Sequence, residues 1–183
     1  LSAEEELPMQ QLQLLTSKPI LYVCNLDEEK VSKGNEFSRA VTNKALEEEA
    51  GVVTVAASIE AELALLEDGE EKRAFLQDLG LAEAGLDRVI RAGYDLLGLL
   101  TFFTANPNEV RAWTVPDGTL APAAAGVIHG DFERGFIRAE TIAYEDYLSC
   151  NGEQGAKDAG RMRSEGRDYL VNDADVLLFR FNV

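Results

Sequence analysis

Two short, unbroken apolar runs stand out in the first third of the chain, and each stops abruptly on polar residues. Ile20-Leu21-Tyr22-Val23-Cys24 gives way to Asn25-Leu26-Asp27-Glu28, and Val52-Val53-Thr54-Val55-Ala56-Ala57 gives way to Ser58-Ile59-Glu60. Continuous runs of this kind predict strands covered on both faces. Between them, Phe37, Ala40, Val41, Ala45 and Leu46 recur at helical spacing over residues 35–50, and Gly51 is placed to end that helix. Strand, helix, strand in this order implies a right-handed parallel crossover.

The flanking segments are mostly helical. Ser2 can cap a helix over residues 2–15, where Glu4 to Glu6 suit the positive helix end, although Pro8 suggests a break. After the second strand come three helical pieces, Ile59–Leu66, Glu70–Leu79 and Leu86–Leu97. The last places Val89, Ile90, Tyr94 and Leu97 on one packing face. Beyond Gly98 the pattern turns to strands at Leu99–Thr104 and Glu109–Val115, joined through Asn106-Pro107-Asn108. A short helix at Leu120–His129 follows, then alternating segments at Gly135–Ile142 and Val176–Phe181. Two strands, a helix and further strands is the order of a small β-grasp domain, with its boundary near Gly98.

Composition narrows the chemistry. The formal charge of −16 over 183 residues argues against a broad nucleic-acid footprint. The acidity is uneven: residues 1–95 carry 20 acidic and 9 basic side chains, and residues 96–183 carry 13 and 8. Arg161, Arg163 and Arg167 form a local basic cluster that fits a solvated face. Cys24 and Cys150 follow no metal or redox spacing, and with one histidine few ligands exist for a His/Cys metal site. No run approaches the ~18–20 apolar residues that span a bilayer, and the acidic start does not suit a secretory signal. A cytoplasmic protein is expected.

A strand ending in Asn-x-x-acid, followed by a helix and a strand ending in a small-residue turn, is how P-loop GTPases hold a purine base. Asparagine can donate to and accept from a ring edge, and the acid fixes base identity. The likeness to those proteins implies that Asn25, Leu26 and Glu28 would meet the base, and that Ala57 and Ser58 would present backbone N–H groups to it, as relatives do. Ala57-Ser58 equally fit an ordinary strand-to-helix turn with Ser58 as cap. No G-x-x-x-x-G-K-[ST] phosphate loop occurs between Leu1 and Val183. The base-reading half of a site is therefore expected without its phosphate half.

Further segments carry a resemblance. Arg88-Val-Ile-Arg-Ala-Gly-Tyr94, Thr101-Phe-Phe-Thr104, Glu109-Val-Arg-Ala-Trp-Thr114, and Asp131-Phe-Glu-Arg-Gly-Phe-Ile-Arg-Ala-Glu-Thr-Ile142 resemble the C-terminal half of the YchF family. So do Gly152-Glu-Gln-Gly-Ala-Lys157, Gly166-Arg-Asp-Tyr169 and Phe179-Arg-Phe-Asn-Val183. The family comprises Obg-related P-loop ATPases, called Obg-like ATPases in eukaryotes. The resemblance implies an α/β plus α+β architecture. Residues 1–17 would end a helical (coiled-coil) insertion, 18–97 would be the C-terminal segment of a G domain, and 98–183 a ubiquitin-like β-grasp TGS domain.

The resemblance also implies function. GTP-selective relatives carry Asn-Lys-x-Asp; here Leu26 replaces the lysine and Glu28 the aspartate, as in the family's Asn-x-x-Glu variant that prefers ATP. The full-length protein would hydrolyse ATP, and GTP more weakly, with Mg²⁺. The fragment itself would be inactive, with no catalytic residue and no bound nucleotide; His129 is expected to be structural or a surface contact. Expected partners are the ribosome, through its large subunit or ribosomal RNA, and a second copy of the fragment meeting at exposed G-domain strands. The alternative is a stand-alone TGS-type protein- or RNA-binding module, for which Arg111, Trp113, Arg134 and Arg138 are the candidate contacts; the same side chains also fit core or plain surface.

Overall fold

Strand β1 (Leu21–Asn25) and strand β2 (Gly51–Val55) pair in parallel, from Leu21 opposite Gly51 to Asn25 opposite Val55. Helix α1 (Glu36–Glu47) makes the crossover. The computed structural model describes residues 11–67, 69–106 and 109–182. Along the chain two compact units follow one another, Leu1–Leu97 and Gly98–Val183. Both are mixed assemblies of helices and sheet.

In the first unit, α1 starts on a capping box: the Asn35 side chain accepts from Ser38 N–H at 2.8 Å, and Ser38 Oγ accepts from Asn35 N–H at 2.9 Å. Gly51 does not end this helix. The chain turns out of it through Glu49, at φ +53°, and Gly51 opens β2, where a Cβ would stand 2.8 Å from Leu21 Cδ1. Close strand pairing therefore explains this glycine better than helix termination. Tyr22 Oη and Lys44 Nζ both donate to Glu48, each at 2.6 Å, tying β1 to the end of α1.

Helix α2 (Ala57–Leu63) begins two residues before the expected start, because β2 already stops at Val55. Its Ile59 and Leu63 are buried with Val31, Ala56 and Ala84, and α3 (Glu70–Asp78) adds Phe75 and Leu76. Helix α4 (Gly85–Leu97) closes the unit. Its expected packing face is only partly realised: Val89 and Tyr94 are half-buried, whereas Ile90 and Leu97 are exposed. Of the helix expected over residues 2–15, residues 2–10 lie outside the described residues; Gln11 is helical, and a 3-10 turn follows at Leu15–Ser17.

The two edges of this small sheet differ. Val55 C=O accepts from Leu26 N–H at 2.8 Å and so faces β1. Carbonyls alternate in direction along a strand, so Thr54 C=O faces the opposite edge, where Arg88 Nη2 donates to it at 2.9 Å. Ile20, just before β1, and Val23, on it, stand 46% and 49% exposed. Apolar side chains on and just before β1 are therefore left bare, while the far edge of β2 is partly sealed by Arg88.

The second unit is a five-stranded sheet in the order β4-β3-β7-β5-β6. Here β3 is Leu99–Asn106, β4 Glu109–Pro116, β5 Phe136–Ile142, β6 Arg163–Glu165 and β7 Val176–Phe181. Strands β3 and β7 run parallel and the other pairs antiparallel. One face buries Leu100, Phe102, Val115, Leu177 and Phe179 against α5 (Ala121–Ile128), whose Ala121, Ala124 and Ala125 let helix and sheet approach closely. The other face packs Phe103, Ile142 and Val176 against Ala156 and Tyr147. These last belong to two short helices absent from the sequence expectation, α7 (Tyr144–Ser149) and α8 (Glu153–Asp158). Also absent from it were α6 (Gly130–Arg134) and the three-residue β6.

A buried polar knot fastens the loop before β7. Asp175 is 3% exposed, and its Oδ2 accepts from Tyr169 Oη at 2.7 Å and Asn172 N–H at 3.0 Å. Burial, then the bond to Asp175, raises the Tyr169 phenol above its ordinary pKa. The backbone continues the link: Phe103 N–H donates to Asp175 C=O at 2.8 Å. Replacing Asp175 by Ala leaves two part-buried donors, Tyr169 Oη and Asn172 N–H, without this acceptor, and should cost about 1–2 kcal/mol in urea unfolding of this unit. A loss below ~0.5 kcal/mol, the range of neutral surface changes, would contradict this account of the knot.

Across β5 and β7, Glu140 accepts from Arg180 at 2.8 Å and from Arg138 at 3.0 Å. Arg180 first, opposed by burial and then aided by Arg138, holds the Glu140 carboxyl below its ordinary pKa. A depressed carboxylate stabilises the fold above its unfolded pKa and loses that contribution as pH falls through the folded value. Thermal melts should therefore show wild type ahead of Glu140→Gln near pH 7, with the gap closing as the pH falls below the ordinary glutamate range. A gap constant across that range would contradict the assignment.

Candidate functional site

Of the expected base-contacting residues, Asn25 and Ala57 are brought into contact, at the carboxyl ends of β1 and β2. Asn25 is the last residue of β1, and its Oδ1 accepts from the Ala57 backbone N–H at 2.9 Å. Ala57 is the first residue of α2, whose N-cap Ala56 supplies no side-chain acceptor. Asn25 thus satisfies one of the four donors a helix start leaves open, from thirty-two positions away in sequence. The expected role of Ser58 as the cap does not hold. Ser58 lies inside the first turn of α2, exposed.

This bond changes what Asn25 can do. With Oδ1 facing Ala57 N–H, the amide is oriented, and the end left for a ligand is the NH₂ donor. It is not placed to donate and accept on one ring edge. By the same bond Ala57 N–H is taken, so of the two backbone donors expected to meet the base, Ser58 N–H is the one this bond does not use.

Leu26 turns inward, 8% exposed, so its side chain serves packing rather than display. Glu28 begins an exposed 3-10 turn, Glu28–Lys30, preceded by Asp27, which pairs with Lys30 at 3.5 Å. Asn25, Glu28, Ala57 and Ser58 are all exposed. Two groups that the sequence reading missed support them. Glu60 Oε1 and Oε2 accept from Gly85 N–H (2.7 Å) and Leu86 N–H (3.1 Å), and Arg88 holds Thr54 C=O. An acid four residues beyond the N-cap gives no signal in sequence that it will cap a different helix.

The four candidate partner contacts of the second unit do not converge. Arg111 lies 4.1 Å over the Trp113 ring, and Trp113 Nε1 donates to Thr104 Oγ1 at 2.9 Å, on the sheet face covered by α5. Arg138 pairs with Glu140, whose cross-strand neighbour is Leu178. That row shares the opposite face with Val176. Arg134 ends α6 and pairs with Asp131. The local basic cluster is likewise engaged: Arg163 with Tyr169 and Glu165, Arg161 with Asp146, and Arg167 with Phe136 C=O. His129 caps α6, its Nδ1 accepting from Asp131 N–H at 3.1 Å. Among the described residues no three His, Cys, Asp or Glu side chains group to hold a metal ion, and no helix is long and apolar enough to cross a membrane.

Residues 99–182 match the family model YchF-GTPase_C, described as a protein of unknown function. Over 98% of its length the chain is 56% identical to the ribosome-binding ATPase YchF of Bacillus subtilis, covering 50% of that protein. Over its full length it is 54% identical to the protein of the same name from Escherichia coli O157:H7, again covering 50%. The solved Schizosaccharomyces pombe YchF GTPase superposes with a TM-score of 0.83 at 30% identity, covering 98% of this chain and 48% of that one. A GTP-binding protein from Pyrococcus horikoshii shares the fold, with a TM-score of 0.60 at 18% identity, over 90% of this chain and 46% of that one. The chain belongs to the YchF family. It spans about half the length of the curated relatives it matches.

The Asn25–Ala57 bond predicts a split between two substitutions. Asn25→Ala removes the acceptor and should destabilise the first unit by about 1 kcal/mol, as loss of a helix cap does. Asn25→Asp keeps the acceptor and should stay within ~0.5 kcal/mol of wild type. Urea unfolding monitored on the first unit checks both; equal losses would contradict a role carried by Oδ1.

Proposed function

We propose that this chain supplies the purine-reading part of the nucleotide site of a ribosome-binding ATPase. The observation that carries the reading is the Asn25 Oδ1 to Ala57 N–H bond, which joins the ends of two neighbouring parallel strands. Ligands of open α/β sheets bind outside those carboxyl ends. With its oxygen engaged, Asn25 offers its NH₂ group to N7, an acceptor that adenine and guanine share. Asn25 thereby selects a purine without choosing which. The choice falls to Glu28, a carboxylate that accepts from the adenine amino group or, differently placed, from guanine. Its longer side chain on an exposed turn favours relaxed choice, with ATP preferred and GTP weaker.

The triphosphate and Mg²⁺ require phosphate-cradling amides, a lysine and metal-binding groups. The described residues fit the base and not that requirement, so those groups belong to the part of the longer protein that this chain does not cover. By itself the chain is inactive as a hydrolase. The bare apolar side chains of Ile20 and Val23, beside a sheet of two parallel strands, support residues 18–97 as the last segment of a larger domain that covers them, a G domain. They also support self-association of the isolated chain at β1.

The order β4-β3-β7-β5-β6 with β3 parallel to β7 supports reading residues 98–183 as a β-grasp TGS domain. We assign it ribosome contact in a cytoplasmic protein, since relatives are named for ribosome binding. Arg111 stacked on Trp113 is the better contact for RNA of the large subunit, because Arg134 and Arg138 are already engaged by carboxylates. The alternative, an independent TGS-type binding module without hydrolysis, draws on the same sheet order.

Titration of the full-length protein separates these readings. ATP should bind more tightly than GTP. Asn25→Asp, which sets a carboxylate oxygen against purine N7, should weaken both about tenfold or more. Glu28→Asp should move the ATP:GTP ratio toward GTP. Unchanged binding in both variants would leave the module reading in its place.

A further inference from the structure

Glu60 does more than cap a helix. It lies in α2, one turn beyond Ala56, and its own N–H makes the first helical bond of that helix, to Ala56 C=O at 3.1 Å. Its two carboxylate oxygens reach the first two N–H groups of α4, at Gly85 and Leu86. The fit is tight: a Cβ at Gly85 would stand 2.8 Å from Glu60 Oε1 and 3.1 Å from Val55 Cγ1. One turn along α4, Arg88 holds Thr54 C=O. Helix α4 therefore grips the chain on both sides of Ala56-Ala57-Ser58, at Thr54 before it and at Glu60 after it. Bonds of a charged group to backbone N–H are among the stronger hydrogen bonds, and two in parallel fix both distance and angle.

We propose that Glu60, assisted by Arg88, is a positioning residue for purine recognition, holding Ala57 and Ser58 against Asn25 through the N-terminus of α4. The inference rests on the base-site reading above. Neither side chain touches the nucleotide; each sets where the Asn25 amide and Ser58 N–H stand, and a displacement of about 1 Å in such groups is costly. The effect falls on the base and not on the phosphates.

The test compares ATP with inorganic tripolyphosphate, which lacks the base, as ligands of the full-length protein with Mg²⁺. Four proteins are used: wild type, Glu60→Gln, Leu86→Pro and Asn25→Asp. Glu60→Gln removes the charge and one acceptor. Leu86→Pro deletes one of the two donors while leaving Glu60 intact, and proline is tolerated in a first helical turn. Both should weaken ATP about tenfold and leave tripolyphosphate within about twofold. Parallel weakening of ATP and tripolyphosphate, or unchanged ATP affinity in both variants, would overturn the positioning role. Asn25→Asp reports separately on the reading beneath it: if that variant binds ATP like wild type, the base site itself is wrong; if it alone loses ATP, only Glu60 is misassigned.

Discussion

One hydrogen bond organises the first unit, the Asn25 side-chain oxygen accepting from Ala57 N–H. It joins the ends of two strands separated by a helical crossover, and it supplies the cap that Ala56 cannot. It also settles the orientation of an amide whose two ends have opposite hydrogen-bonding character. A strand end, a helix start and a ligand donor are thus fixed together. The asparagine that ends the first apolar run is thus required there by this junction, not merely tolerated.

Around this bond the supports form a closed circuit. Arg88 anchors β2, Gly85 admits α4 against Val55, and Glu60 returns the contact to α2. None is needed for a hydrophobic core, which Ile59, Leu63 and Ala84 form with Val31 and Ala56. The second unit solves a different problem. Its sheet is covered on both faces, and its last strand lies beside its first through a loop pinned by Asp175. Most of its arginines pair with carboxylates of the same unit, which leaves the stacked Arg111–Trp113 pair as its distinctive surface feature.

Legibility in the sequence followed the range of the forces involved. The parallel strands, the crossover helix and the hairpin of the second unit come from local apolar pattern, and these were readable. The helix stop at Gly51 was misread because a glycine serves equally for a left-handed turn and for close strand approach; only the position of Leu21 separates the two. Helices α7 and α8 are six residues each, too short for periodicity to register. At the site, the asparagine and the small-residue turn were identifiable, but the direction of the Asn25 amide was not. Glu60 and Arg88 were missed because their partners lie 25 and 34 positions away. Ile90 and Leu97 carry the periodicity of a buried face and yet stand exposed, since periodicity reports a stripe and not what covers it.

The most direct measurement is hydrogen exchange at the Ala57 amide, resolved by NMR, in wild type and Asn25→Ala. A first-turn amide with no acceptor exchanges like an open backbone group, so protection at Ala57 in wild type reports the Asn25 bond itself. The account predicts clear protection that disappears in Asn25→Ala while Ile59 and Leu63 are little changed. Free exchange at Ala57 in wild type, or protection that survives the substitution, would contradict it.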